Sequence, residues 1–291
     1  MWARQACDKT KMFVRLKKLW GQKRYLKRFS QITKYFTCRV KSMELAVLYA
    51  CNQNCPGCYA GDLKSPAYLT RDQIREIMRK YRPFHVNITG GEPLLRKDIF
   101  EIIEGMPKGV VISLVTNGKL LTKEKLRKLK KAGLNTLQLS YGANYDNNLE
   151  VIKSKAARGV NICLSVTNTK KNKKYIEQAI KEAKLNKWHV LYNLPSGSIA
   201  KNFDRETYFK YRNNPLIRED NMFWAGWNKC PAGNEKIYVT AKNELMPCDR
   251  LHDVYPNLKT MRKEFKRKPW CSRLGDVRNE ESTCVGCASC T

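Results

Sequence analysis

A chain of 291 residues with 12 Cys and a formal net charge of +30 can bury a substantial core in one large or two unequal domains. No run approaches the ~18 apolar residues of a membrane-spanning helix, and the basic N-terminus lacks the apolar core and small-residue cleavage site of a secretory leader. A soluble, cytoplasmic enzyme is therefore expected, and in that reducing compartment clustered cysteines are metal ligands more often than disulfides.

The lysines are scattered through every segment, so a solvated basic surface accounts for most of the charge. The same surface suits an acidic partner such as nucleic acid, anionic lipid or an acidic carrier. Residues 1–42 form a basic extension in which Met12, Leu16, Leu19, Trp20, Leu26 and Phe29 recur at helical spacing, with Gly21 splitting the helix. Such a helix packs on its own domain with its lysines in water, or lies peripherally on an anionic membrane.

From Met43 the pattern alternates. Strands are predicted at 43–49, 85–89, 110–116, 136–140, 160–167 and 189–193, with helices at 70–81, 97–106, 122–133, 144–157 and 174–185 between them. Thr70 is placed to cap the first helix and Gly133 to close the third. Helical crossovers between strands demand parallel pairing of right-handed sense. Periodicity does not separate an open doubly wound sheet from a partial barrel. A helix near 205–212 precedes the tryptophan-bearing stretch 222–227, and a boundary near 215 divides a core of 43–215 from a cysteine-rich segment of 216–291. That segment carries a strand at 236–240, a turn at 241–244 returning toward Cys248, and a helix at 258–268.

Nine of the 12 cysteines cluster in two places, and Cys7, Cys38 and Cys163 stand apart as incidental or buried thiols. Cys51, Cys55 and Cys58 form C-x3-C-x2-C directly after the first strand, with Pro56 and Gly57 suited to a tight turn. Three thiolates on an iron–sulfur cube leave one iron open, as a reactive centre needs. A zinc site borrowing a fourth ligand is the competing reading. The second strand runs into Gly90-Gly91-Glu92-Pro93, where paired glycines let backbone approach a ligand and a carboxylate can accept from an ammonium group. The tail holds Cys230, Cys248, Cys271, Cys284, Cys287 and Cys290, a set that serves iron–sulfur or zinc.

Over about residues 43–200, the cysteine loop and the GGEP turn together resemble the radical S-adenosylmethionine (SAM) enzymes. The resemblance implies an α/β fold, a partial (βα)6 TIM-type barrel, with Cys51, Cys55 and Cys58 on a [4Fe–4S] cluster whose fourth iron binds the methionine part of SAM. It implies reductive cleavage of SAM to a 5′-deoxyadenosyl radical that takes hydrogen from a substrate. Gly90, Gly91 and Glu92 would then hold the methionine amino group, with Pro93 shaping the turn. Asn117, Ser140 and Asn168, at later strand ends, match cofactor-contact positions more softly, and Leu194-Pro195 follows the sixth strand near the adenine. Gly57 departs from the aromatic often found before the third cysteine, and Tyr59 follows instead.

The tail resembles the SPASM and twitch auxiliary-cluster domains, with Asn243 standing where a glycine is usual. That implies an auxiliary [4Fe–4S] cluster on Cys230, Cys248, Cys284 and Cys287, with Cys290 able to replace either of the last two and Cys271 spare. Oxidation or cross-linking of a peptide, protein side chain or small molecule is the leading expectation, with a flavodoxin- or ferredoxin-like electron donor. The alternatives are a membrane-surface enzyme acting on a lipid or isoprenoid, and a non-catalytic iron–sulfur electron-transfer or nucleic-acid-binding protein. Tyr141, Tyr145 and Cys163 are candidates for a second hydrogen donor or base.

Overall fold

The computed structural model describes residues 35, 37–38, 40–58, 60, 65–145, 148–193, 195, 201–211, 214–219, 232–249, 251 and 253–267. The expectations placed on residues 1–34, Tyr59, Leu194, the stretch 222–227, and Cys230, Cys271, Cys284, Cys287 and Cys290 lie outside the described residues.

Six parallel strands stand side by side in chain order: β1 (Ser42–Ala46), β2 (His85–Thr89), β3 (Val111–Thr116), β4 (Thr136–Ser140), β5 (Asn161–Thr167) and β6 (His189–Asn193). A doubly wound sheet reverses its strand order at a switch point. Here the order never reverses, which is the winding of a barrel. The crossovers carry α1 (Arg71–Tyr81), α2 (Ile99–Glu104), α3 (Lys123–Ala132), α4 (Leu149–Lys153) and α5 (Lys173–Asn186). The ring stays open: beyond β6 the sheet continues into β7 (Ile217–Glu219), and β1 takes the parallel strand β8 (Lys236–Val239) on its other edge. The hairpin partner β9 (Leu245–Met246) runs antiparallel to β8. Helices α6 (Arg205–Tyr211) and α7 (Leu258–Arg267) complete the described elements. This is a partial TIM-type barrel.

Local chemistry explains the element ends. Thr70 and Gln73 form a reciprocal capping box at the start of α1, and Ile74, Ile77, Met78 and Tyr81 make one buried stripe. The Thr122 hydroxyl accepts from the Lys125 amide at the start of α3, which Gly133 closes. The run predicted at 43–49 splits. β1 ends at Ala46, and the following residues turn to an antiparallel contact in which the Tyr49 amide donates to the Ala67 carbonyl at 3.0 Å and the Leu69 amide to that of Val47 at 3.1 Å. The helix predicted at 97–106 is shorter, Ile99–Glu104, with Asp98 at its N-cap and Gly105 at its C-cap, and a short 3-10 turn at Pro93–Leu95 precedes it. The expected irregular helix resolves into α4 and a 3-10 turn at Lys155–Ala157.

One face of the strands is apolar: Val86, Ile88, Leu114, Leu137, Leu139, Leu164 and Val166 are buried in the main core. The opposite face presents Glu44, Asn87, Thr89, Gln138, Ser140, Ser165, Thr167 and Asn193 to a central cavity. Parallel sheets covered on both sides are ordinarily apolar on both. This one keeps a polar shaft.

Candidate active site

The cavity opens at the C-terminal edge of the strands and encloses about 210 Å³. Cys51, Cys55 and Cys58 all border it, the first exposed and the others half-buried, and none is in a disulfide. Between the last two, the Cys58 amide donates to the Cys55 carbonyl at 3.2 Å, closing a turn with Pro56 second and Gly57, at φ 65°, third. The left-handed backbone explains why glycine stands where an aromatic was expected.

The GGEP turn is stitched to the root of this loop. The Gly91 amide donates to the Leu48 carbonyl and the Glu92 amide to that of Ala50, both at 2.9 Å. A Cβ on Gly91 would lie 2.1 Å from the Ala50 carbonyl oxygen, and one on Gly90 2.0 Å from that of Leu48. Only glycine permits this approach. Both glycines border the cavity.

Glu92 is placed differently. Its side chain is fully buried, and its carboxylate accepts from the Thr116 hydroxyl and Asn117 amide at 2.8 Å and from the Leu94 amide at 2.9 Å. Burial raises its pKa, opposed by those three hydrogen bonds. Glu92 thus ties the GGEP turn to the end of β3, and Pro93 opens the buried turn beyond it. Asn117 borders the cavity, with its side-chain amide 2.7 Å from Asn52 Oδ1 and 4.0 Å from Cys51 Sγ.

Ser140 and Tyr145 both line the cavity. Burial, then the Cys55 and Cys58 sulfurs, raise the Tyr145 phenol above its ordinary range. Asn168 is not at the cavity: it is fully buried, with its amide nitrogen donating to the Asp204 carbonyl at 3.1 Å. Tyr141 is also buried, packed edge-on against Tyr175 at 6.0 Å, and its phenol is pushed up to about 12, chiefly by burial. Cys163 is half-buried on β5, and Cys248 is buried after β9.

Sequence reasoning missed several residues. Arg96 donates to the Val47 and Leu69 carbonyls at 2.8 and 2.6 Å and pairs with Asp98 at 2.9 Å, so one guanidinium grips both feet of the cysteine loop. Asp249 joins the cavity from the end of the β8–β9 hairpin. Glu44 and Lys236 form a buried ion pair at 2.7 Å that joins β1 to β8. The signal for Glu44, Asn87, Gln138 and Ser165 was available as a polar residue at every second position of strands that had to be buried.

No three His, Cys, Asp or Glu side chains among the described residues converge on a position for one metal ion. The three thiols instead share a cavity rim, which suits a cube that spreads its cysteine ligands over separate irons.

Residues 45–197, more than half of the chain, match the family model described as the radical SAM superfamily. An AdoMet-dependent heme synthase of Methanosarcina barkeri is 33% identical over 171 residues, which cover 50% of this chain and 49% of that one. A GTP 3′,8-cyclase of Aquifex aeolicus is 34% identical over 135 residues, covering 42% and 41%. The chain thus spans about half the length of the curated relatives it matches, or less. The crystal structure of Streptococcus suis SuiB bound to S-adenosylmethionine shares the fold with a TM-score of 0.59 at 16% identity, over 78% of this chain and 64% of that one. The chain belongs to the radical SAM superfamily.

Proposed function

We propose that Cys51, Cys55 and Cys58 hold a [4Fe–4S] cluster with one open iron, and that SAM binds between it and the polar shaft. Three thiols on the rim of a cavity that continues into the strands carry this reading. Bound there, the cluster supplies an electron that splits SAM to methionine and a 5′-deoxyadenosyl radical, which removes a hydrogen atom from the substrate. This chain's residues set the geometry. Gly90 and Gly91 bring bare backbone to the cavity wall, Glu92 and Arg96 fix the two loops relative to each other, and Ser140 and Asn117 offer polar contacts at the rim.

The product is an oxidised or cross-linked peptide, protein side chain or small molecule, with an auxiliary cluster on Cys248 and the tail cysteines taking up the substrate radical's electron. No described helix is long and apolar enough to cross a membrane. The test is anaerobic reconstitution of the full chain with iron and sulfide, then SAM and dithionite. 5′-Deoxyadenosine should form and be lost in Cys55→Ala, and its absence from the wild-type reaction would refute the reading. About eight irons per chain are expected with one auxiliary cube, and about four without it.

A further inference from the structure

Most side chains that the strands turn into the shaft below the rim carry a hydrogen-bond acceptor, with Val115 the apolar exception. Thr89, Ser140 and Thr167 form its upper level, and Asn87, Gln138 and Ser165 stand two residues earlier on the same strands, about 6–7 Å deeper at ~3.3 Å per residue. The side-chain amides of Gln138 and of Asn193, which pairs with Thr167 in the upper level, both donate to Ser165 Oγ, at 3.3 and 2.8 Å, which commits one N–H of each to the protein. Asn87 Oδ1 and Asp249 Oδ1 are buried without a hydrogen-bond partner among the described residues. A buried acceptor left unsatisfied costs about 1–3 kcal/mol, so a ligand that satisfies these atoms is favoured. The charge has one sign as well. The Glu44 carboxylate has its counter-ion in Lys236, and no Lys or Arg is among the described residues that line the cavity with Asp249. A chain of net charge +30 therefore keeps its reaction chamber free of lining cations among those residues.

We infer that the lower shaft takes a substrate group bearing several N–H donors and a positive charge, such as a primary ammonium or guanidinium. A hydrocarbon chain would leave Asn87 Oδ1 and Asp249 Oδ1 unsatisfied, and a polyphosphate would meet carboxylate and carbonyl oxygens. The inference rests on the radical SAM reading above for its chemistry, but its binding test stands apart.

Full-length protein, reconstituted anaerobically and saturated with SAM, is titrated by ligand-observed NMR with agmatine, n-hexanol and inorganic triphosphate. Agmatine should bind most tightly. Asp249→Asn or Asn87→Leu should weaken it about tenfold, the loss of one charge-assisted or buried hydrogen bond, and Asn193→Asp should tighten it. Tighter binding of hexanol or triphosphate, or an agmatine affinity that no variant moves, overturns the inference. So does a set of variants that weakens SAM instead of agmatine, because the acceptors then belong to the cosubstrate. SAM affinity is read in the same titration: its loss from the wild-type protein defeats the radical SAM reading, while the agmatine series still judges the shaft.

Discussion

Arg96 shows how much of this site depends on a side chain with no chemistry of its own to perform. Its side chain is 7% exposed, and it joins the carbonyls that enter and leave the cysteine loop, with Asp98 completing the pairing. The guanidinium in turn holds the Asp98 carboxyl below the usual carboxylate range, first through the hydrogen bond. Arg96→Met keeps the bulk but strands two carbonyls, and should cost about 2–4 kcal/mol. The expected outcome is a lower denaturation midpoint together with fewer irons retained after reconstitution. A variant that unfolds earlier yet holds full iron would separate Arg96 from the loop. No motif announces Arg96, since its partners lie 49 and 27 residues away in sequence. Glu92 was legible as part of the GGEP turn, but which way its carboxylate turned was not. That followed from the distance to Thr116 and Asn117, known only once β2 and β3 were paired.

At the scale of elements, strands and helices were readable wherever one physical cause acted alone. Thr70, Thr122 and Gly133 mark helix ends through local hydrogen bonding, and β2 to β6 appear within a residue of their predicted bounds. The failures are where a distant partner decides. The hairpin expected after Lys236 is present, but its parallel docking on β1, anchored by Glu44, was not readable. Lys236→Met should leave a buried carboxylate unpaired, costing about 3–5 kcal/mol, whereas the double variant Glu44→Leu/Lys236→Met recovers much of it. Additive losses in chemical denaturation would show that the two do not act as a pair. His85 fastens the neighbouring strands: its ring lies 3.0 Å from Ser42 Oγ and 2.8 Å from Ser113 Oγ. Burial first, then the Lys236 charge, pushes its pKa down to about 4. A base with a depressed folded pKa stabilises the fold above its unfolded value of about 6.5 and loses that contribution as pH falls toward 4. Stability should therefore drop by about 3 kcal/mol across that window, a slope that His85→Gln removes. Equal slopes in the two proteins would place the acid sensitivity elsewhere.

For the molecule as a whole, the order of six strands decides what the sequence left open between a doubly wound sheet and a partial barrel. The barrel then gathers residues that are far apart in the chain. A cysteine loop after β1, a glycine turn after β2, and an inner face of amides and hydroxyls from β2, β4, β5 and β6 meet in one cavity. Short motifs revealed the first two because their residues are contiguous. The inner face is spread over more than a hundred residues, so each strand shows only its own alternating polar positions and no single window shows that they share one cavity. The central claim is that the three thiols support a cluster with one iron open to SAM. Electron paramagnetic resonance of the reduced, reconstituted protein tests it most directly. Adding SAM to the wild-type protein should shift the g-values of the reduced cluster, and Cys51→Ala should abolish the signal of that cluster. A spectrum from the intact cysteine loop that SAM leaves unchanged would contradict the account.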